Sequence, residues 1–158
     1  MAVCYVDIDH FKPFNDVYGY AKGDQVLLTL AQCLTEHIDP AAELVGHIGG
    51  DDFLLVLSHA DWQRRLHALQ SQFAQRCQRL YRAEDVQTGY FMAANRKGTV
   101  EPFGLLSLSI GVFVLHPKDA EHYDAARLAE CASRAKQIAK ANHQTHFCVL
   151  DSRSLCVT

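Results

Sequence analysis

Leu44-Val45-Gly46-His47-Ile48-Gly49-Gly50-Asp51-Asp52-Phe53-Leu54-Leu55-Val56-Leu57 is the stretch on which the fold class turns. Two apolar runs around a Gly-Gly-Asp-Asp break read as strands joined by a tight turn. Glycine supplies the left-handed backbone there, and aspartate is favoured beside it. A second signal lies upstream. Ala2–Ile8 is apolar nearly throughout, as a strand buried on both faces is, and it runs out into Asp7-Ile8-Asp9. If these strands are neighbours, Asp7 and Asp51 converge on one point. Two or three carboxylates with a backbone carbonyl form the hard oxygen set that Mg²⁺ takes. Gly49 and Gly50 remove side chains where a base or phosphate has to come close. The tetrapeptide by itself is equally at home in a bare hairpin.

Working outward, residues 13–17 form a short helical turn and 22–37 a helix with Leu27, Leu30, Ala31, Leu34 and Ile38 inward, stopped by Asp39-Pro40. Residues 60–82 form a helix with Leu66, Leu69, Phe73, Cys77 and Leu80 on one face. Arg64, Arg65, Arg76, Arg79 and Arg82 then read as its solvated side. Residues 89–94 and 100–103 flank Asn95-Arg96-Lys97-Gly98 as a second hairpin. A strand over 105–115, interrupted at Gly111, precedes an alanine-rich helix over 120–141 with Leu128, Ala132, Ala135 and Ile138 or Ala139 inward. Residues 146–150 close the chain as a strand. Hairpins mixed with helical crossovers predict an α/β (α+β) fold: one palm-like, ferredoxin-related domain over residues 1–158, with a central, mainly antiparallel sheet flanked by helices.

Composition narrows the function. The chain has 158 residues, 49% hydrophobic and 21% charged, an ordinary globular balance. A net charge of −3 carries no footprint for nucleic acid. No apolar run approaches the roughly 20 residues that span a bilayer, and no signal peptide is visible. The six cysteines form no CxxC pair, and five of them fall in strand or helix patterns, which predicts reduced core thiols and a cytoplasmic setting. His143 and His146 straddle a helix end and read as surface residues rather than metal ligands. A buried-type strand beginning at residue 2 suggests a piece of a longer, multidomain protein.

The first segment settles what the hairpin leaves open. Asp7-Ile8-Asp9-His10-Phe11-Lys12-Pro13-Phe14-Asn15-Asp16-Val17-Tyr18-Gly19-Tyr20-Ala21-Lys22-Gly23-Asp24 matches D-x-D-x-F-K-x-x-N-D-x-x-G-x-x-x-G-D. With Gly49-Gly50-Asp51-Asp52-Phe53 and Ser109-Ile110-Gly111-Val112, it resembles the GGDEF family of cyclic di-GMP signalling from residue 3 to about 150. The resemblance implies a diguanylate cyclase that condenses two GTP molecules into cyclic di-GMP across a homodimer of such domains. It implies metal ligation (Mg²⁺ or Mn²⁺) by Asp7, Asp51 and the Ile8 carbonyl, and catalytic roles for Asp51, Asp52 and Lys12. It implies nucleotide binding by Asn15, Asp24, Gly49, Gly50 and Lys140, with Asn15 and Asp24 reading guanine. The chain departs from the pattern at several places. Asp52 stands for Glu, Gln144 for a phosphate-binding Arg four residues after Lys140, His47 for Arg and Tyr20 for His. Pro40-Ala41-Ala42-Glu43 replaces the R-x-x-D of the inhibitory product site. His47 to Phe53 is also similar to GGDEF domains linked to an EAL phosphodiesterase domain, which leaves a degenerate GTP-binding regulatory module as the alternative.

Overall fold

The computed structural model describes all residues other than 59, 143–145 and 156–158. In chain order the strands are β1 (Ala2–Ile8), β2 (Leu44–Gly49), β3 (Asp52–Leu57), β4 (Tyr90–Ala94), β5 (Val100–Gly104), β6 (Leu108–Val114) and β7 (Phe147–Asp151). The helices are α1 (Phe11–Tyr18), α2 (Tyr20–Glu36), α3 (Trp62–Cys77), α4 (Ala83–Thr88), α5 (Ala125–Ala141) and α6 (Ser152–Leu155). Two compact units are distinguished.

The first unit comprises Met1–Asp7, Ile38–Arg65 and Leu108–Thr158. It is built on a five-stranded sheet of order β2-β3-β1-β6-β7. β3 pairs antiparallel with both β1 and β2, while β7 joins β6 in parallel because α5 carries the chain across between them. At one end of the β1–β6 pair, Leu115 N donates to Met1 O at 2.9 Å, and past the other end Asp9 N donates to Ser107 O at 2.9 Å, so these two strands also run in opposite directions. The sheet is therefore antiparallel in the main, as the hairpin pattern predicts.

α5 packs on β6 and β7. Beneath it Val3, Phe113, Leu115 and Ala132 form a core, flanked by Tyr5, Leu54, Tyr123, Leu128, Cys131 and Leu150. Alanines at 132, 135 and 139 are fully buried, whereas Ile138 is exposed, which resolves that choice in favour of Ala139. Small side chains let the helix backbone sit low on the strands. Gly111 takes this to its limit: a Cβ there would fall 2.5 Å from Lys136 Cα and nearer still to the Lys136 nitrogen. β6 accordingly runs unbroken through Gly111, where the sequence suggests an interruption.

The second unit comprises Ile8–His37 and Leu66–Ser107. Its core is aromatic: Phe14 stacks on Tyr18 at 4.7 Å between ring centres and meets Tyr81 and Phe91 edge-on. Tyr18 donates its hydroxyl to Asp85 on α4, a helix the sequence pattern does not announce. β4 and β5 pair as the expected hairpin, forming a separate two-stranded sheet.

Two helix faces differ from expectation. α2 buries Gly23, Val26, Thr29, Leu30, Cys33 and Leu34, a face rotated from the expected one: Leu27 and Ala31 are half-buried and Leu28 points to solvent. The arginines of the 60–82 stretch are not uniformly solvated either. Arg65 is 15% exposed and pairs with Glu43, and Arg76 pairs with Glu36 at 2.8 Å. That helix ends at Cys77, with Gln78–Leu80 as a 3-10 turn. The last long helix starts at Ala125, where the Asp124 side chain accepts from Arg127 N at 2.8 Å. Cys4, Cys33, Cys77, Cys131 and Cys148 are free thiols, and Cys156 lies outside the described residues. Among the described residues no helix is long and apolar enough to cross a membrane.

Candidate functional site

Antiparallel register places Asp7 on β1 directly opposite Asp52 on β3. Gly50 and Asp51 make the turn between β2 and β3, closed by the Gly49–Asp52 pair; Gly49 and Gly50 are both at positive φ (151° and 59°), with nothing within 4 Å of where their Cβ atoms would stand. Both glycines thus leave open surface at the tip. His47 closes the turn from within, its Nε2 lying 2.9 Å from Gly50 O while its ring stacks on Phe53 at 4.4 Å. This gives His47 a turn-holding role at the position where the resemblance implies arginine.

Asp7 is buried, and Asp52 is partly open to solvent. Two carboxylates in register repel each other unless a cation intervenes. Lys136 is that cation. Its Nζ lies 3.3 Å from Asp7 Oδ2 and 3.1 Å from Asp52 Oδ1, and it caps the Tyr5 ring at 4.4 Å from the centroid. Lys140, one turn further on, brings Nζ within 2.6 Å of Asp7 Oδ1. That approach is an ion pair set off the hydrogen-bonding direction, so this buried oxygen has no donor aligned on it among the described residues. Burial pushes the Asp7 carboxyl above its usual range; the Lys140 and Lys136 ammoniums work against the rise and the Asp51 charge works with it. For Lys136 burial acts to lower the ammonium, but the hydrogen bond to Asp52 and the two carboxylate charges prevail and raise it.

Asp7, Asp51, Asp52 and Lys140 are thus gathered in the first unit, with Asp51 on the turn beside them. No three His, Cys, Asp or Glu side chains form a ready metal cage among the described residues. The oxygen donors are nevertheless of the hard type Mg²⁺ prefers, and Asp7, buried with an ammonium on each oxygen, already serves as a cation-holding carboxylate. Lys136 went unnoticed in the sequence reading. Its spacing of four from Lys140, on a helix buried through Ala132, Ala135 and Ala139, is the signal that puts both ammoniums on one side.

The other expected residues lie in the second unit. Ile8, buried, ends β1. Asp9 is spent on structure, accepting from Ser107 Oγ at 2.7 Å. Lys12 stands on α1 with its side chain 82% exposed, paired to Asp16 at 2.9 Å, and Asp24 is exposed on α2. Asn15 Oδ1 is buried without a hydrogen-bond partner among the described residues. It lies against Gly23, where a Cβ would stand 2.9 Å from Asn15 Cγ and closer still to Oδ1. The spacing of this Asn and Gly in the first motif therefore has a steric basis. Gly23→Ala is expected to fold, with a stability change within about 1 kcal/mol since only a mobile amide must yield. Gln144 and His143 lie outside the described residues.

The sequence profile of the GGDEF domain, described as diguanylate cyclase, matches residues 1–146. The chain belongs to the GGDEF family. A 44-residue stretch is 54% identical to the uncharacterized protein YhcK of Bacillus subtilis, covering 26% of this chain and 12% of that protein. Among solved GGDEF structures, the GGDEF domain of PA1120 (YfiN or TpbB) from Pseudomonas aeruginosa is similar over 94% of this chain and 80% of its own, with 26% identity and a TM-score of 0.64. The active GGEEF domain of a Vibrio cholerae diguanylate cyclase is 28% identical, with 94% and 81% covered and a TM-score of 0.60. The GGDEF domain of DgcB from Caulobacter crescentus, solved with c-di-GMP, shares the fold at 22% identity and a TM-score of 0.66 over 96% of this chain and 77% of that one.

Proposed function

We propose that this GGDEF domain is a diguanylate cyclase, joining two GTP molecules into cyclic di-GMP as a homodimer. One observation carries the reading: the paired carboxylates Asp7 and Asp52 beside an open Gly49-Gly50 turn, with two lysines of α5 directed at them. In each half-reaction the 3′-hydroxyl of one GTP attacks the α-phosphorus of the other, forming a P–O bond as pyrophosphate leaves. Asp7, Asp51 and the Ile8 carbonyl are the residues to hold Mg²⁺ or Mn²⁺, which when bound neutralises the triphosphate and acidifies the attacking hydroxyl. In this reading Asp52 takes the hydroxyl proton, and Lys140 and Lys12 hold phosphate oxygens. Asn15 and Asp24 read guanine, whose adjacent N–H donors suit a carboxylate. Positioning and charge carry most of such a reaction.

A second reading is a GTP-binding module that regulates a linked EAL phosphodiesterase domain. Asp52 favours it, being one methylene shorter than the family's Glu and engaged with Lys136. The two readings part on one assay. Dimers enforced by a fused parallel coiled coil, given GTP and Mg²⁺, are expected to form cyclic di-GMP, with Asp51→Asn at least about a hundredfold slower. GTP binding that depends on metal, with no product from the folded dimer, would instead identify the regulatory module.

A further inference from the structure

We infer that Lys136 is a tethered cation seated in the carboxylate site, which a divalent ion has to displace in order to bind. The inference rests on the reading of Asp7 and Asp51 as metal ligands.

Three features single this lysine out. It is held from three sides, by Asp7 Oδ2, Asp52 Oδ1 and the face of Tyr5, with only 15% of its side chain exposed. Lys140, by contrast, is 45% exposed and engages Asp7 alone among these groups. The position of Lys136 is also set by the backbone. Gly111 brings β6 against the peptide between Ala135 and Lys136, so the root of the side chain is fixed over the sheet. Finally, its ammonium lies between the oxygens of two different carboxylates, 3.3 Å and 3.1 Å away. Asp7 is thus common to the ammonium and to the proposed ligand set, and a divalent ion held by Asp7 and Asp51 would have to take over a carboxylate on which Lys136 already rests.

Charge makes the competition consequential. Asp7, Asp51 and Asp52 face the two ammoniums of Lys136 and Lys140, which leaves one net negative charge; without Lys136 there are two. A divalent ion gains least where the carboxylates are already neutralised, and the effect is large where water is excluded. Lys136 therefore stabilises the metal-free domain and sets the threshold at which metal enters.

The test uses Mn²⁺ alone, followed by electron paramagnetic resonance of the free ion, on the parent chain, Lys136→Met, Lys136→Gln and Asp51→Asn. Circular dichroism identifies the folded variants, and Lys136→Gln keeps a polar group should the methionine variant fail to fold. Both Lys136 variants are expected to bind Mn²⁺ at least about tenfold more tightly than the parent. Their melting temperatures are expected to be lower without Mn²⁺ and to rise further on its addition. A lysine with a merely structural role would lower stability without tightening the ion. Equal or weaker Mn²⁺ binding by folded Lys136→Gln, where Asp51→Asn abolishes binding, overturns the displacement and leaves the metal ligands standing. Absence of Mn²⁺ binding throughout, or binding indifferent to Asp51→Asn, overturns the ligand assignment and the displacement together.

Discussion

Gly111→Ala is expected to lose about 3 kcal/mol or more of folding stability, read from urea unfolding followed by circular dichroism. The reason is space. The new methyl would stand 2.5 Å from Lys136 Cα and nearer still to the Lys136 nitrogen and the Ala135 carbonyl carbon. These are main-chain atoms of a helix packed through fully buried alanines, so relief requires α5 to lift from β6 as a body. The same movement carries Lys136 away from Asp7 and Asp52. Gly23→Ala makes the useful contrast, because there the obstructing atoms belong to the end of the Asn15 side chain. A loss at Gly111→Ala below about 1 kcal/mol would show that the helix rides loosely on the sheet, and the fixed placement of Lys136 would fall with it.

Period and punctuation made most of the fold legible. The Gly-Gly break between two apolar runs foretold β2 and β3, and the 3.6-residue stripe of Leu66, Leu69, Phe73 and Cys77 is buried as expected. The pattern misled where large apolar residues and buried ones differ. On α2 the face is set by Gly23 and Thr29 along with Val26, because a small or hydroxylated residue permits close approach while Leu28 is left in solvent. Short elements such as α4 and the 3-10 turns carry too few residues for a period to show. At the site, the carboxylates were legible because glycine and aspartate stand out in an apolar neighbourhood. Lys136 was not, since a lysine on an alanine-rich helix looks like any solvated charge until Gly111 and the strand register bring Asp7 and Asp52 to it. Likewise Arg65 belongs to a run of arginines whose members differ only in what the fold sets opposite them.

Replacing Arg65 with methionine is expected to cost about 3–5 kcal/mol, the range for stripping one partner from a buried ion pair. The Glu43 side chain is wholly buried, and Arg65 meets it with two bonds, Nη1 to Oε1 at 2.8 Å and Nη2 to Oε2 at 2.5 Å. Asp39 N and Ser58 N donate to the same carboxylate at 2.9 Å and 3.0 Å, so this one group ties the loop after α2, the end of β3 and the first turn of α3. Without the guanidinium this buried carboxylate loses its bidentate cation. The double variant Arg65→Met/Glu43→Met removes both charges and is expected to regain more than half of the loss, because the penalty lies in the orphaned ion rather than in the absent pair. Glu43 also occupies the last position of what in the family is the inhibitory product site, and here its carboxylate is turned inward and fully engaged. Urea unfolding of the parent, both single variants and the double variant closes the cycle. A single-variant loss under about 1 kcal/mol would place the pair with exposed salt bridges and free Glu43 for a ligand after all.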